Sequence, residues 1–324
     1  MKYVLYIFIL LSLSCAKIEV EDNPLYFFWE EMDRKYVFFE EKQIDWNSVR
    51  STLHRYDPNN TTDLVAGFTS MIEPLKDRHV WVSSEEETIT YNPDANYFFS
   101  TVNLNFYSTG KIEENDFYTI AQLPGGIVFV ELNSFLKPFP YFEWTIKEYD
   151  YSNGIIIDIR HNSGGYLPNA LDLAFNFISG KRTVLYQKFK NGRGHNDFTG
   201  FKPLSLEGSN RFPDTRIVLL ADIMTYSAAN LFASVMKEFT GAVLVGAKTG
   251  GGGASSILDV LPNGWAYSIS QNASFDAAYR SLEQGVSPHY EVLFDKEQYE
   301  EEKPRHNQME FALKLLTENN QKTQ

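Results

Sequence analysis

Two adjacent glycines, Gly164 and Gly165, follow a short apolar segment of the kind that forms a buried strand. Residues 155–159 include four isoleucines, and Pro168 opens an apolar pattern that is typical of a helix. Because glycine has no Cβ, the backbone N–H groups of this turn stay accessible, and a strand–turn–helix unit can direct them at an anion. The two glycines are also compatible with an ordinary tight turn.

Ser227 stands at a second junction of the same type. A strand-like segment, residues 217–221, leads through a short turn to this serine and then to a strongly apolar helix. A serine in this position commonly caps the helix. It can also be a nucleophile on a strand-to-helix elbow, with the N–H of Ala228 joining Gly164 and Gly165 as an oxyanion hole. The second possibility would support acyl transfer.

Two motifs carry these residues: Asp-Ile-Arg-His-Asn-Ser-Gly-Gly at 158–165 and Thr-Tyr-Ser-Ala-Ala-Asn at 225–230. Together they resemble the C-terminal processing and tricorn-core serine peptidase family. The resemblance extends over about residues 24–292 and implies an α/β fold, with a crotonase-like ββα spiral core and a helical N-terminal domain. It also implies a serine endopeptidase that cleaves peptides or unfolded proteins through an acyl-enzyme formed on Ser227.

The resemblance implies two partners for Ser227. His79 matches the general base of the family, and Glu283 matches the acid that orients the histidine in tricorn-like members. Arg78 replaces the serine that precedes the histidine in tricorn, and His289 replaces an aspartate of the closing motif. A histidine beside a strand can also be a structural residue, and Glu283 can be a solvated loop carboxylate.

One branch of the family uses a lysine as the base instead of a histidine. When the motif of that branch is laid over residues 246–253, Gly252 occupies the position of the lysine. Ser256, four residues further on, occupies the position of an accompanying glutamine. Lys248 matches an earlier lysine of the motif that is not catalytic. Because glycine has no group that accepts a proton, the resemblance excludes a Ser–Lys dyad and favours His79.

The same matches predict the organisation of the chain. The helical pattern near the N-terminus has candidate N-caps at Asp45 and at Thr62 or Asp63. The connection that follows is too short for the PDZ domain that many relatives insert there. The expected segments are a signal peptide (1–14), a helical domain (15–80), a short β-rich connection (81–125), the peptidase core (126–294) and a charged helical tail (295–324).

Cys15 is the only cysteine of the sequence and follows an apolar segment that Lys2 precedes. The segment is too short to span a bilayer, and a lone cysteine cannot form an internal disulfide. We interpret Cys15 as the lipid-modified first residue of a bacterial lipoprotein, although Ser12 stands where the lipobox prefers leucine. The protein is then expected at the cell envelope, on its periplasmic or outer-membrane face, held by a lipid anchor only. Ordinary cleavage and a free thiol are the alternatives.

Composition narrows the range of partners. The formal net charge of −13 over 324 residues argues against nucleic acid, since phosphate binding requires clustered lysine and arginine. The six histidines show no spacing typical of a metal site, and no cofactor is predicted. Two other functions fit the sequence: a non-catalytic envelope protein that binds an apolar or peptide ligand, as retinoid-binding proteins of this fold do, and an esterase for small acyl substrates. The oligomeric state is left open.

Overall fold

The computed structural model describes residues 22–92, 101–301 and 305–318. Contacts divide these residues into two units. The first unit comprises the described residues up to 92 together with Lys188–Gly200 and Ala254–Ala273, and the second comprises the remainder. The predicted signal peptide and Cys15 lie outside the described residues. Within the ranges that are described, none of the helices has the length and apolar character that a membrane crossing requires.

Helices occur in both units. The first unit contains α1 (Pro24–Lys35), α2 (Trp46–Arg50) and α3 (Thr61–Ile72), with 3-10 turns at Leu53–Arg55 and Glu73–Leu75. The second contains α4 (Leu104–Tyr107), α5 (Phe142–Ile146), α6 (Leu167–Phe175), α7 (Ala228–Phe239), α8 (Lys296–Glu301) and α9 (Asn307–Glu318).

Strands also occur in both units and form three sheets in the described part of the chain. In chain order they are β1 (Trp81–Ser83), β2 (Thr88–Thr90), β3 (Ile112–Glu114), β4 (Tyr118–Leu123), β5 (Ile127–Leu132), β6 (Gly154–Asp158), β7 (Ser179–Phe189), β8 (Lys202–Ser209), β9 (Ile217–Ala221), β10 (Val243–Gly246), β11 (Ser256–Val260), β12 (Ala266–Ser270), β13 (Asn272–Phe275) and β14 (Tyr290–Glu291).

Polar side chains cap the helices of the first unit. Asn23 and Asp45 accept hydrogen bonds from the first backbone N–H groups of α1 and α2, and the cap at Asp45 is as expected. At α3 the cap is Asn60, so the prediction of Thr62 or Asp63 is wrong. Thr62 lies inside the first turn of α3, and the prediction therefore placed the start of this helix too late.

The sheet of the first unit has the strand order β11-β12-β1-β2 and is antiparallel. Two of its strands come from the N-terminal part of the chain and two from the hairpin between residues 254 and 273. Tyr267 of β12 packs edge to face on Phe28 of α1, with ring centroids 5.7 Å apart. Both rings are fully buried, so this contact fixes the hairpin to the helical part of the unit.

The second unit is built on a sheet with the order β14-β10-β9-β6-β5-β4-β3 in the described residues. From β5 to β14 the neighbouring strands are parallel, whereas β3, β4 and β5 pair antiparallel. One face buries α6 and α7, and the other buries Met309, Ala312 and Leu316 of α9. A smaller sheet has the order β13-β7-β8. Because β6 and β9 are adjacent and parallel, the turns that follow them lie side by side at one edge.

Candidate active site

Ser227 lies between β9 and α7 in a backbone conformation that L-residues rarely adopt. Its φ is 55° and its ψ is −126°, outside the regions that are sterically favourable for a residue with a Cβ. Ser227 occupies the N-cap position of α7, but its side chain makes no capping hydrogen bond to the helix. Such a conformation costs about 1–3 kcal/mol and persists only where the surrounding contacts determine it. This is the geometry of a nucleophile elbow.

Backbone hydrogen bonds hold the Ser227 turn from two directions. The N–H of Ser227 donates to the carbonyl of Gly251 at 2.9 Å, and the N–H of Tyr226 donates to the carbonyl of Asn162 at 3.0 Å. Gly252 lies against Tyr226 so closely that a Cβ there would be 2.5 Å from the ring. The turn is therefore bound both to the glycine loop after β6 and to the loop after β10.

The buried carboxylate of Asp222 organises the beginning of the same turn. Its Oδ1 accepts hydrogen bonds from the N–H groups of Met224 and Thr225, each at 2.9 Å, and from the N–H of His161 at 3.1 Å. Burial by itself raises the pKa of Asp222, but His161 and the charge of Arg160 hold the pKa below its ordinary value. The carboxylate stays ionised and joins the residues that follow β6 and β9.

Gly164 packs directly against the Ser227 elbow. Its φ is 103°, and a Cβ at this position would lie 2.8 Å from the Cβ of Ser227 and 2.9 Å from the nitrogen of Ala228. Its N–H donates to Oδ1 of Asn162 at 2.9 Å, and the same buried side chain donates to the carbonyl of Leu132. The Gly164 amide thus has an acceptor inside the loop.

The amides of Gly165 and Ala228 differ from that of Gly164. In the ranges that the structure describes, neither N–H donates a hydrogen bond to another residue. Gly165 is exposed, with a φ of 135°, and a Cβ there would lie 2.5 Å from the backbone of Phe135. Ala228 opens α7, where the first N–H groups of a helix lack intrahelical acceptors. Two of the three predicted oxyanion-hole amides therefore remain available to a ligand.

Arg160 anchors the glycine loop from the interior of the second unit. Its buried guanidinium pairs with Asp158, with Nε 2.9 Å from Oδ1, and donates to Oε1 of Gln308 at 2.7 Å. It also lies 2.9 Å from Nε2 of His306. Since a guanidinium can only donate, this histidine nitrogen accepts and carries no proton. Part of the predicted C-terminal tail is therefore bound to the end of β6.

Glu283 lies in the second unit and is only 7% exposed. The alternative of a solvated loop carboxylate is therefore excluded. Its Oε2 accepts a hydrogen bond from the N–H of Gly253 at 2.9 Å. A Cβ on Gly253 would lie 2.7 Å from the nitrogen of Glu283, so the glycine permits this close approach. The glycine loop 250–253 thus contacts both the Ser227 turn and the Glu283 segment.

His79 lies in the first unit, just before β1, with 15% of its side chain exposed. The backbone N–H of His79 donates a hydrogen bond to Oδ1 of Asp77 at 2.9 Å. Burial is the largest cause that lowers the pKa of His79; the Asp77 charge opposes it, and the charges of Arg78 and Lys42 lower the pKa further. The resulting pKa is below the ordinary value. The imidazole is consequently neutral at neutral pH, as a general base must be.

Sequence reasoning did not single out several residues that shape this site. Asp222 had a local signal, because it is a carboxylate at the very end of a buried strand-like segment. Asn162 lies inside the motif at 158–165, but its structural role was not evident from the sequence. Lys42 had no signal, since it lies 35 residues before Asp77 in a polar segment.

Comparison with known proteins identifies the family. The sequence profile of Peptidase family S41 matches residues 126–292, just over half of the chain, and the protein belongs to this family. A segment of 104 residues is 32% identical to the "Probable CtpA-like serine protease" of Staphylococcus haemolyticus. That segment is 32% of this chain, which spans only 20% of that relative.

Two solved structures share the fold. A candidate peptidase from Parabacteroides merdae is 27% identical, with a TM-score of 0.82 over 91% of this chain and 96% of its own. The photosystem II D1 C-terminal processing protease is 14% identical, with a TM-score of 0.51 over 84% of this chain and 93% of its own. The predicted family and the predicted α/β fold are confirmed.

Proposed function

We propose that the protein is a serine endopeptidase that hydrolyses peptides or unfolded proteins through an acyl-enzyme. Ser227 Oγ attacks the peptide carbonyl carbon while His79 accepts the hydroxyl proton, and Glu283 orients the imidazole. The tetrahedral intermediate breaks its C–N bond as His79 returns the proton to the leaving amine. Water then hydrolyses the ester with the same base. The observation that carries the proposal is the strained, non-capping backbone of Ser227 beside two available amides.

The oxyanion hole is proposed to consist of the N–H groups of Gly165 and Ala228. The amide of Gly164 was the third candidate from the sequence, but it donates to Asn162. Gly164 contributes instead by its missing Cβ, which allows the loop to approach the serine. Each amide aimed at the developing oxyanion accounts for about 10²–10³ in kcat.

His79 is proposed as the base because the lysine alternative has no room. At Gly252, where the Ser–Lys branch of the family carries its lysine, φ is 80° and the Tyr226 ring occupies the space of a Cβ. The lowered pKa of His79 agrees with this role. A base needs to be unprotonated at the working pH and still able to accept a proton in the transition state.

The role of His79 predicts a specific pH profile. The value of kcat/KM for an unfolded protein substrate should rise with an apparent pKa below about 6.5 and level off by about pH 7.5, because His79 must lose its proton first. His79→Ala should reduce kcat by about 10⁵-fold. Labelling by a fluorophosphonate probe, with the modified residue located by peptide mass spectrometry, should mark Ser227.

The matched control is His54→Ala, which removes an exposed histidine of the first unit. This variant should keep the activity and the pH profile of the wild type. Rates that begin to rise only near about pH 9, where a lysine would titrate, would contradict a histidine base. Absence of both labelling and turnover would favour a non-catalytic binding protein of the same fold.

We further propose that Cys15 carries a lipid and that the protein resides at the bacterial cell envelope. The support is the sequence alone, because Cys15 lies outside the described residues. Each buried CH₂ of an acyl chain contributes about 0.8 kcal/mol, so two or three chains hold a protein on a bilayer without a spanning helix.

Labelled palmitate followed by cell fractionation tests this location. Wild-type protein should incorporate the label and sediment with envelope membranes, whereas Cys15→Ser should do neither. Unlabelled wild-type protein in the soluble periplasmic fraction would refute lipidation without affecting the catalytic proposal.

A further inference from the structure

Asp77 is a carboxylate of the first unit that lies beside the imidazole of His79. Its side chain is completely buried. One carboxylate oxygen, Oδ1, accepts a hydrogen bond from the backbone N–H of His79 at 2.9 Å. The same oxygen lies 3.9 Å from the ring nitrogen Nδ1 of His79. The other, Oδ2, accepts the hydroxyl of Ser270 at 2.9 Å. The carboxylate is therefore held in one orientation next to the imidazole.

Lys42 lies behind this carboxylate. Its Nζ donates to the carbonyls of Leu75 at 2.8 Å and Lys76 at 3.3 Å, which belong to the turn immediately before Asp77. The same nitrogen is 4.0 Å from Oδ2 of Asp77, and only 10% of the lysine side chain is exposed. Lys42 thus fixes the turn through hydrogen bonds and compensates the buried charge of Asp77.

The charges of Lys42, Asp77 and His79 act on one another's protonation. Burial raises the pKa of Asp77, but Lys42, His79 and the Ser270 hydroxyl outweigh it, and the pKa is below its ordinary value. The carboxylate is therefore ionised when His79 takes up a proton. Around the imidazole, Asp77 favours the protonated form, whereas Lys42 and Arg78 oppose it.

We propose that Asp77 and Lys42 are positioning residues for His79, with Asp77 acting as a second acid besides Glu283. Asp77 fixes the backbone of His79 through the N–H contact and stabilises the imidazolium from its Nδ1 side. Lys42 holds the Asp77 carboxylate and the turn before it. Its positive charge limits how strongly Asp77 stabilises the imidazolium of His79. The inference rests on the proposed role of His79 as the base.

Two substitutions should move the pKa of His79 in opposite directions. Asp77→Asn removes the anion and should lower it, whereas Lys42→Met removes the cation, keeps the apolar stem and should raise it. The measurement is an NMR titration of the histidine side chains in the full chain, with the His79 signal assigned by His79→Gln. Lys42→Arg retains the charge and should restore the wild-type value. Arg55→Met removes an exposed cation of the same unit and should change nothing.

Activity provides the second readout. Asp77→Asn should lower kcat by about 10- to 100-fold, with KM nearly unchanged, because a misplaced base costs rate and not binding. The acid limb of its pH profile should move to lower pH. If Asp77→Asn does not fold, Ser270→Ala is the milder test, since it loosens the carboxylate without removing its charge, and it should also lower kcat at constant KM.

The inference is overturned if both substitutions leave the His79 titration unchanged, or if both shift it in the same direction, as a general loosening of the turn would do. It is likewise overturned if Ser270→Ala has no effect on kcat while Lys42→Met has no effect on the titration. The titration needs no substrate. Opposite shifts in a protein without any turnover would support the cluster and refute the peptidase proposal, so the two failures can be told apart.

Discussion

Ser227→Ala is expected to reduce the turnover of an unfolded protein substrate by about 10⁵-fold or more, because removal of a catalytic serine eliminates the acyl-enzyme route. Substrate binding should persist, since the amides of Gly165 and Ala228 remain. The folded structure should be retained, because the serine makes no capping bond and an alanine meets the same backbone restriction. Single-turnover kinetics with purified protein, together with thermal unfolding, measure both effects.

Ser227→Gly separates the chemistry from the backbone strain. It should be as inactive as the alanine variant, but its melting temperature should be higher than that of Ser227→Ala, because glycine tolerates a φ of 55°. The control is Ser205→Ala, which alters an exposed serine of β8 and should leave activity intact. Turnover of Ser227→Ala within tenfold of the wild type would refute the nucleophile assignment.

Arg160→Met is expected to lower the free energy of unfolding by about 3–5 kcal/mol, the usual consequence of leaving a buried charge without its partner. Here the carboxylate of Asp158 loses its two contacts to the guanidinium, and Gln308 and His306 lose a donor. Urea unfolding followed by circular dichroism measures the change. Activity should fall as well, because the glycine loop begins at this residue.

Lys202→Met provides the comparison for Arg160→Met. It also exchanges a cation for methionine in the second unit, but at an exposed position of β8, and should cost less than about 0.5 kcal/mol. The double variant Arg160→Met/Asp158→Leu should recover part of the lost stability, since it removes the stranded carboxylate. A loss below about 1 kcal/mol for the single variant would show that Asp158 finds other partners or water.

Local features of the fold were predictable from the sequence. The predicted strand at residues 155–159 corresponds to β6, which begins and ends one residue earlier, and the predicted strand at residues 217–221 is β9. Continuous β-branched and aliphatic runs of this kind fit a sheet that is covered on both faces. The glycines after β6 and the serine after β9 could be placed on adjacent turns once the family pattern was recognised. Whether the Ser227 side chain caps α7 could be decided only from the structure, because no residue type specifies the backbone angles at this position.

Tertiary contacts of polar residues could not be predicted. The pairing of Lys42 with Asp77, and of Arg160 with Gln308, joins residues far apart in the chain, and a polar contact of this kind has no periodic pattern. The expected segments were also contiguous, whereas Ala254–Ala273 and Lys188–Gly200 group with the N-terminal part. Such a grouping depends on which apolar faces meet, as Tyr267 and Phe28 do, and not on composition.

The tight packing of Gly252 on Tyr226 restricts which residues position 252 can hold. A lysine at position 252 would place a Cβ 2.5 Å from the ring and force a φ of 80° on a residue that disfavours it. Tyr226 is itself buried, so the ring would have to be replaced in the same step. A lysine at position 252 therefore requires a compensating substitution at position 226. The packing of this one buried ring is therefore what excludes a lysine side chain at position 252.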